Sequence, residues 1–422
     1  MSALLWLTVF LAPRAITLPE AIELARKNNL ELRESHTSVE RADADAKSAR
    51  AQLGPTLNAR DELQYWNDKF APTFMDTPFL LREQLTNAFT LSASQPVVGL
   101  FQLGSQYRSQ NRLAEAADAD HRATRDEVTF RAIESYLRLL EATDLAAIAN
   151  ETIRDIEEQA RTAKALVAAG TLIEADYLRT QVALAQARQD LLRAQAQLGS
   201  SRAQLAATIG LPVGSELEAA PLDRNALPEL PRSLDDALSG LDQRRPELHA
   251  ARARSEAAEL ARTAAWSALL PQVNAAVAFQ HFNGYGPFQP DNAAWFGGTL
   301  TWNFWEWGAQ YYSARSASAR AEQGNLNLAR KRRDAELEAT QRFLDARATR
   351  ASIEVAASAV VQAREAYRVA RALYENGSAT TTDLLDAQLA LERARVNDAR
   401  SSYDYLVAYH AFARAAGTVA QP

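Results

Sequence analysis

A chain that carries one domain-sized pattern twice must fold into something built from two similar halves, and this sequence carries such a pair. Leu18, Ala21, Glu31, Leu32, Leu53 and Pro55 recur 216 positions later as Leu234, Ala237, Glu247, Leu248, Leu269 and Pro271. The offset falls to 204 where Gly104-Ser105-Gln106-Tyr107 meets Gly308-Ala309-Gln310-Tyr311. It then settles at 207, where Gly170, Asp176, Leu178, Gln181 and Gly210 meet Gly377, Asp383, Leu385, Gln388 and Gly417. Solenoid repeats have periods of roughly 20 to 50 residues, so this is a duplicated unit, expected to pack about a pseudo-symmetry axis. Alanine-rich helices resemble one another by composition, but composition does not place Pro and Gly at matching element ends.

The duplication divides the chain into an apolar leader over 1–15, a first repeat over 16–210, a linker over 211–232, a second repeat over 233–417 and a tail over 418–422. Each repeat reads as a medium helix, two strands, a very long helix, a tight turn and a second medium helix. In the first, the pattern predicts a helix over 18–53 stopped by Gly54-Pro55, strands over 56–66 and 85–98, a long helix from Gly104 to just before Gly170, and a helix over 174–209. In the second it predicts a helix over 233–270, strands over 272–282 and 294–305, a long helix over 308–376 and a helix over 382–416 with Thr382 as its cap. A helix of roughly 66 residues is about 100 Å long, twice a medium one. One long helix is therefore matched by two medium helices end to end. Many positions on the apolar seams are Ala, which permits close approach but buries little area. Helices packed side by side follow, rather than one compact core.

Composition excludes several functions. A net charge of −6 leaves no basic face for nucleic acid. There is no Cys, and the five His and two Met are not clustered, so no metal or other cofactor is expected, and no catalytic constellation marks an enzyme. The apolar run within residues 1–12, followed by Pro13-Arg14-Ala15, has the length of a signal-peptide core, although no Lys or Arg precedes it. No other run approaches the 18 apolar residues of a membrane helix. If the chain crosses a membrane, it does so with strands.

The strand segments suit that role. Leu85, Phe89, Leu91, Ala93 and Val97 alternate with Thr86, Thr90, Ser92 and Ser94; Phe296, Leu300, Trp302 and Phe304 alternate with Thr299, Thr301 and Asn303. One apolar and one polar face over such a length is what a transmembrane β-strand requires. Trp66, Trp295, Trp302, Trp305 and Trp307 fall in these segments, a bias like the aromatic girdles of outer-membrane barrels. A soluble sheet packed on a helix is the alternative, and Asp61, in mid-strand at an apolar register, favours it. Four strands cannot close a barrel, and an open edge in a bilayer leaves backbone groups unsatisfied. The membrane reading therefore requires several copies of the chain.

The ordered set of paired openings, Thr17-Leu18-Pro19-Glu20-Ala21 and Ser233-Leu234-Asp235-Asp236-Ala237, paired breaks at Gly54-Pro55 and Leu270-Pro271, and paired turns at Gly170 and Gly377 resembles the TolC-like outer-membrane efflux protein family over essentially the whole chain. The resemblance implies a mainly α protein with transmembrane β-structure, acting as a homotrimer with a 12-stranded β-barrel continued by a 12-helix α-barrel. It implies an outer-membrane location in a Gram-negative type envelope and a passive exit duct for efflux or type I secretion, in contact with membrane lipid, a periplasmic adaptor and an inner-membrane pump. The tip turns, at Gly170, Thr171, Leu172, Gly377, Ser378 and Ala379, would meet the adaptor. Asp383 and Asp386 match two aspartates that line the closed tip. Asp176 and Tyr374 match participants in a tip lock, while Ala379 stands where TolC itself carries an arginine. Read locally, Asp383 is also a helix-start residue. A soluble, elongated coiled-coil scaffold is the competing function; it leaves the alternating, Trp-rich strands unexplained.

Overall fold

The structure is a computed structural model that describes residues 14–222 and 226–418 of the chain. In order, the elements are β1 (Arg14–Ile16), α1 (Leu18–Asn28), α2 (Leu30–Ala51), β2 (Thr56–Tyr65), β3 (Thr73–Phe74), β4 (Thr77–Pro78), β5 (Arg82–Pro96), α3 (Gly99–Ala168), α4 (Glu174–Thr208), β6 (Leu217–Ala219), α5 (Leu234–Leu238), α6 (Leu241–Arg244), α7 (Pro246–Ser267), β7 (Gln272–Tyr285), β8 (Asn292–Thr301), α8 (Ala309–Glu375) and α9 (Thr381–Ala415). They form two compact units, each drawing on both sequence repeats. The first takes residues up to Ser35, Asp120–Pro246 and Arg332 onward; the second takes His36–Ala119 and Glu247–Lys331.

Several expected boundaries move for local reasons. The helix expected over 18–53 breaks at Asn29, whose side-chain Oδ1 accepts from the N–H of Glu31 at 3.0 Å and of Leu32 at 3.2 Å, starting a second helix. The helix expected over 233–270 becomes three. Ser233 caps α5 by accepting from the Asp236 N–H at 3.1 Å, Gly240 takes a left-handed φ of 69° between α5 and α6, and Pro246 opens α7. The long first-half helix starts at Gly99, ahead of Gly104. The first 13 residues of the apolar leader lie outside the described residues; its last two, Arg14 and Ala15, belong to β1.

In the first unit, β1 pairs in parallel with β6, so the linker contributes a strand. Tyr136, fully buried, reaches the carbonyls of Ile16 at 3.1 Å and Ala220 at 2.7 Å. Around it pack Ile16, Ile22, Val128, Leu137, Leu205, Ile209 and Val407. Burying each large apolar side chain contributes about 1.5–3 kcal/mol. This is the unit's main apolar cluster, and the long helices beyond it are seamed with alanine: the buried side of α8 includes Ala335, Ala339 and Ala346.

The second unit holds a four-stranded antiparallel sheet in the order β2-β5-β7-β8. Its registers, Asp61 opposite Phe89, Leu91 opposite Phe279 and Val277 opposite Phe296, assign the side chains to faces, apart from the irregular start of β5 before Leu85. Leu57, Leu63, Leu91, Val277, Phe279, Phe296 and Leu300 share one face and are exposed. Thr56, Asn58, Arg60, Glu62, Thr90, Ser92, Gln280 and Thr299 share the other. The loop expected over 67–84 carries the β3–β4 hairpin, and Phe70 bridges to Arg82, which extends β5 back beyond Leu85. No helix among the described residues is long and apolar enough to cross a membrane.

Candidate functional site

Two helix-to-helix turns of the first unit have the same backbone. At the first, the Gly170 N–H donates to the Val167 carbonyl and the Thr171 N–H to that of Leu166, both at 3.0 Å. At the second, the Gly377 N–H donates to Tyr374 at 3.0 Å and the Ser378 N–H to Leu373 at 2.8 Å. This is the Schellman arrangement, which needs a left-handed residue just past the helix; both glycines supply it, with φ of 74° and 70°. The side chains then diverge. Ile173 precedes α4 with no side-chain cap. Thr380, rather than the expected Thr382, caps α9 in a reciprocal box: the Asp383 N–H donates to Thr380 Oγ1 at 3.2 Å, and Asp383 Oδ2 accepts from the Thr380 N–H at 2.9 Å and hydroxyl at 2.7 Å. Those bonds, the hydroxyl's first, hold the Asp383 carboxyl below its ordinary range.

Along α9, Thr381, Leu384 and Gln388 are buried, whereas Asp383 and Asp386 are exposed. The two carboxylates thus stand away from the packed face of their helix. On α4, Asp176 accepts from Arg179 Nη1 at 2.9 Å, and Arg179 is the counterpart of Asp386 at the 207 offset. Tyr374 lines a groove of about 190 Å³ with Asp155, Gln159, Leu166, Arg371 and Leu384. The groove is crossed by Arg371 to Glu158 at 3.6 Å and by Gln159 Nε2 donating to the Tyr367 hydroxyl at 3.1 Å. Gln159 also donates to the buried Gln388. Burial first, and then Glu151, push the Asp155 carboxyl above its usual range. Asp176 is therefore paired within its own helix, while Tyr374 lines a groove beside α9 that does not include Asp176. The Thr-x-x-Asp spacing at 380–383 signals the capping box in sequence; nothing local signals Gln159 or Arg371.

The five tryptophans take two kinds of position. Trp66 and Trp295 lie on the polar face of the sheet. Trp66 Nε1 donates to Thr86 Oγ1 at 3.1 Å, and the Arg82 guanidinium stacks on its ring, 3.6 Å from the centroid. Trp295 stands opposite Ala278. Trp302, Trp305 and Trp307 follow β8, with Trp302 6.0 Å from Phe304 and Trp305 5.8 Å from Trp307 between ring centroids. Among the described residues, no group of three His, Cys, Asp or Glu side chains is placed to hold a metal ion.

An exposed apolar sheet face backed by a polar one, joined in one chain to very long alanine-seamed helices, defines the outer-membrane channel class of fold. Solved channels share the fold: the chain superposes on CusC with a TM-score of 0.84 at 19% identity, covering 94% of this chain and 91% of that one. It superposes on the CmeC outer membrane channel of Campylobacter jejuni with a TM-score of 0.84 at 16% identity, covering 95% and 85%. In sequence, it is 27% identical to the pyoverdine export outer membrane protein OpmQ of Pseudomonas putida, over 98% of this chain and 87% of that protein. The outer membrane efflux protein family matches residues 21–211 and 237–418, and the chain belongs to that family. It is an outer-membrane efflux channel protein of a Gram-negative type envelope.

Proposed function

We propose that three copies of this chain close one 12-stranded barrel, continued by a 12-helix tunnel, and that the assembly is the passive exit duct of a tripartite efflux or type I secretion system. The observation that carries this reading is the four-stranded sheet. Its apolar face is exposed, and β2 and β8 are edges with no further strand beside them among the described residues. In a bilayer each unpaired edge group costs several kcal/mol, so the edges of neighbouring copies must pair. Exposed apolar residues on α8, including Leu337, Leu344, Val355 and Val369, support the same assembly, because they lack cover within one chain.

In this reading the turns at Gly170, Thr171 and Leu172 and at Gly377, Ser378 and Ala379 meet a periplasmic adaptor that recruits an inner-membrane pump. Asp383 and Asp386, exposed on one side of α9, ring the constriction of the duct. Trp302, Trp305 and Trp307 anchor the helix-proximal lipid boundary. Asp176 lies at the start of α4 and Tyr374 at the end of α8, and they would fasten the resting state through partners in a neighbouring copy. Cross-linking of the purified protein combined with planar-bilayer conductance tests the proposal: a three-copy species and a cation-selective pore are expected. Asp383→Ala with Asp386→Ala should weaken the selectivity; unchanged selectivity removes the gate from the proposal, and monomers without conductance remove the duct.

A further inference from the structure

On the lipid-facing side of the sheet Gln95, near the inner end, turns its amide back onto the Leu53 and Pro96 carbonyls at 3.1 and 3.2 Å, and the remaining polar side chains of the paired rows gather at the other end. Successive registers place Leu57, Ala93, Val277 and Phe296 in one transverse row and Ala59, Leu91, Phe279 and Ala294 in the next; the third row is Asp61, Phe89, His281 and Asn292. Asn87 and Asn283 stand opposite each other one step further out. Asn87 Nδ2 donates to Asp61 Oδ1 at 2.5 Å, and His281 Nδ1 pairs with Asn292 Oδ1 at 2.9 Å. We infer that this line of paired polar groups is the outer boundary of the lipid band, where acyl chains give way to headgroups, and that the strand ends beyond it stand in the headgroup layer.

Two magnitudes favour that level over the strand ends. From the inner apolar row of Val273 and Leu300 to His281 is eight residues of β7, about 27 Å along the strand. With the usual tilt of 35–45° this gives a height of about 20 Å, and Trp302 and Phe304 below it bring the band towards the roughly 25 Å of outer-membrane barrels. Placing the boundary at Tyr65 and Leu85 would add two rows, about 13 Å of strand, and sink Asp61 well inside hydrocarbon. A charge on the lipid face costs most at the midplane and little at the interface, and a carboxylate with one amide partner is tolerated only at the interface. The partner this surface fits is therefore an outer leaflet whose headgroups begin at Asp61 and His281. This accounts for the residue that, in sequence, argued against a membrane strand.

The inference rests on the outer-membrane reading of the sheet, and one experiment separates the two. The chain has no Cys, so Val277→Cys, Leu91→Cys, Phe89→Cys and Leu85→Cys each accept a single nitroxide and leave both polar pairs intact. Collision rates with oxygen and with a water-soluble nickel chelate are then read in phospholipid vesicles. Labels at 277 and 91 should favour oxygen, the label at 89 should fall at the crossover, and the label at 85 should shift to the nickel-accessible range. If the label at 85 matches the one at 277, the boundary lies beyond the polar row and the inference is overturned while the membrane reading stands. If all four labels meet nickel freely, the membrane reading of this face fails with it.

Discussion

Glu338 lies between two arginines of the first unit, and its removal has a cost that the geometry constrains. Its carboxylate accepts from Arg245 Nη2 at 2.8 Å and from Arg414 Nη2 at 2.6 Å, while Arg414 also pairs with Glu127 at 2.9 Å. The Arg245 side chain is only 5% exposed, so its charge cannot return to water without movement of the backbone around it. Deleting one partner of a buried ion pair costs about 3–5 kcal/mol. Glu338 itself is 29% exposed, so solvent reaches the vacated site, and the low end, about 3 kcal/mol, is expected for Glu338→Ala. Replacing both partners, Arg245→Met with Glu338→Met, keeps the volume and removes the buried charge. Most of the lost stability should then return. As a control, Arg188→Ala breaks a pair with Glu157 in which both side chains are well exposed, and it should cost no more than about 0.5 kcal/mol. Guanidinium unfolding of the purified protein in detergent, followed by far-UV helicity and extrapolated linearly, measures all three. A Glu338→Ala variant as stable as the control, or a double variant no better than the single one, would refute the reasoning.

Burial, then the neighbouring Asp190, push the Glu392 carboxyl above its ordinary range, with Arg393 opposing. A raised carboxyl binds its proton more readily in the folded state. The fold therefore gains stability as pH falls through that raised value towards about 4.3, and carries an ionised, partly desolvated group at neutral pH. Glu392→Gln should melt higher than wild type at pH 7, with the difference shrinking as pH approaches 5; an equal difference at both pH values would contradict this. At the second turn, Ala379→Arg should lower resting conductance in planar bilayers if that turn narrows the duct. An unchanged current would mean the turn does not line the constriction.

The legible parts of this protein are those fixed by backbone geometry within a few residues. Gly170 and Gly377 mark the turns because the hydrogen-bond closure there needs a left-handed residue, and the strands read to within a few residues because period two survives in both faces. The break at Asn29 was written in the sequence as an amide two residues before Glu31, and the break at Gly240 as glycine itself, but the apolar spacing ran through both and concealed them. Partners such as Arg371 with Glu158, Gln159 with Gln388 and Arg245 with Glu338 join residues far apart in the chain, and no local pattern encodes them. The tryptophans show what residue type leaves out. A girdle-like bias assigns no faces, whereas the alternation that groups Phe296, Leu300 and Trp302 already assigns Trp295 to the opposite one.

Duplication sets the turns' backbone, and divergence sets their charge. Both turns close through the same pair of hydrogen bonds, so the two halves share one backbone there. At the first, Arg179 takes up the Asp176 carboxylate within the same turn of helix. At the second, the position equivalent to Arg179 is Asp386, and Asp383 is held ionised by the capping box, since acceptance from the Thr380 hydroxyl and N–H favours the charged form. The first turn therefore pairs Asp176 and leaves Glu174 exposed, while the second presents both Asp383 and Asp386 to solvent. In the proposed trimer the second-half hairpins would supply two exposed carboxylates per copy at the turns and the first-half hairpins one, Glu174, because a carboxylate already satisfied by an arginine contributes little field at a pore. Cation selectivity should accordingly respond to Asp383 and Asp386 and be insensitive to Asp176→Asn. Loss of selectivity in Asp176→Asn would mean that the Arg179 pairing opens when neighbouring copies assemble.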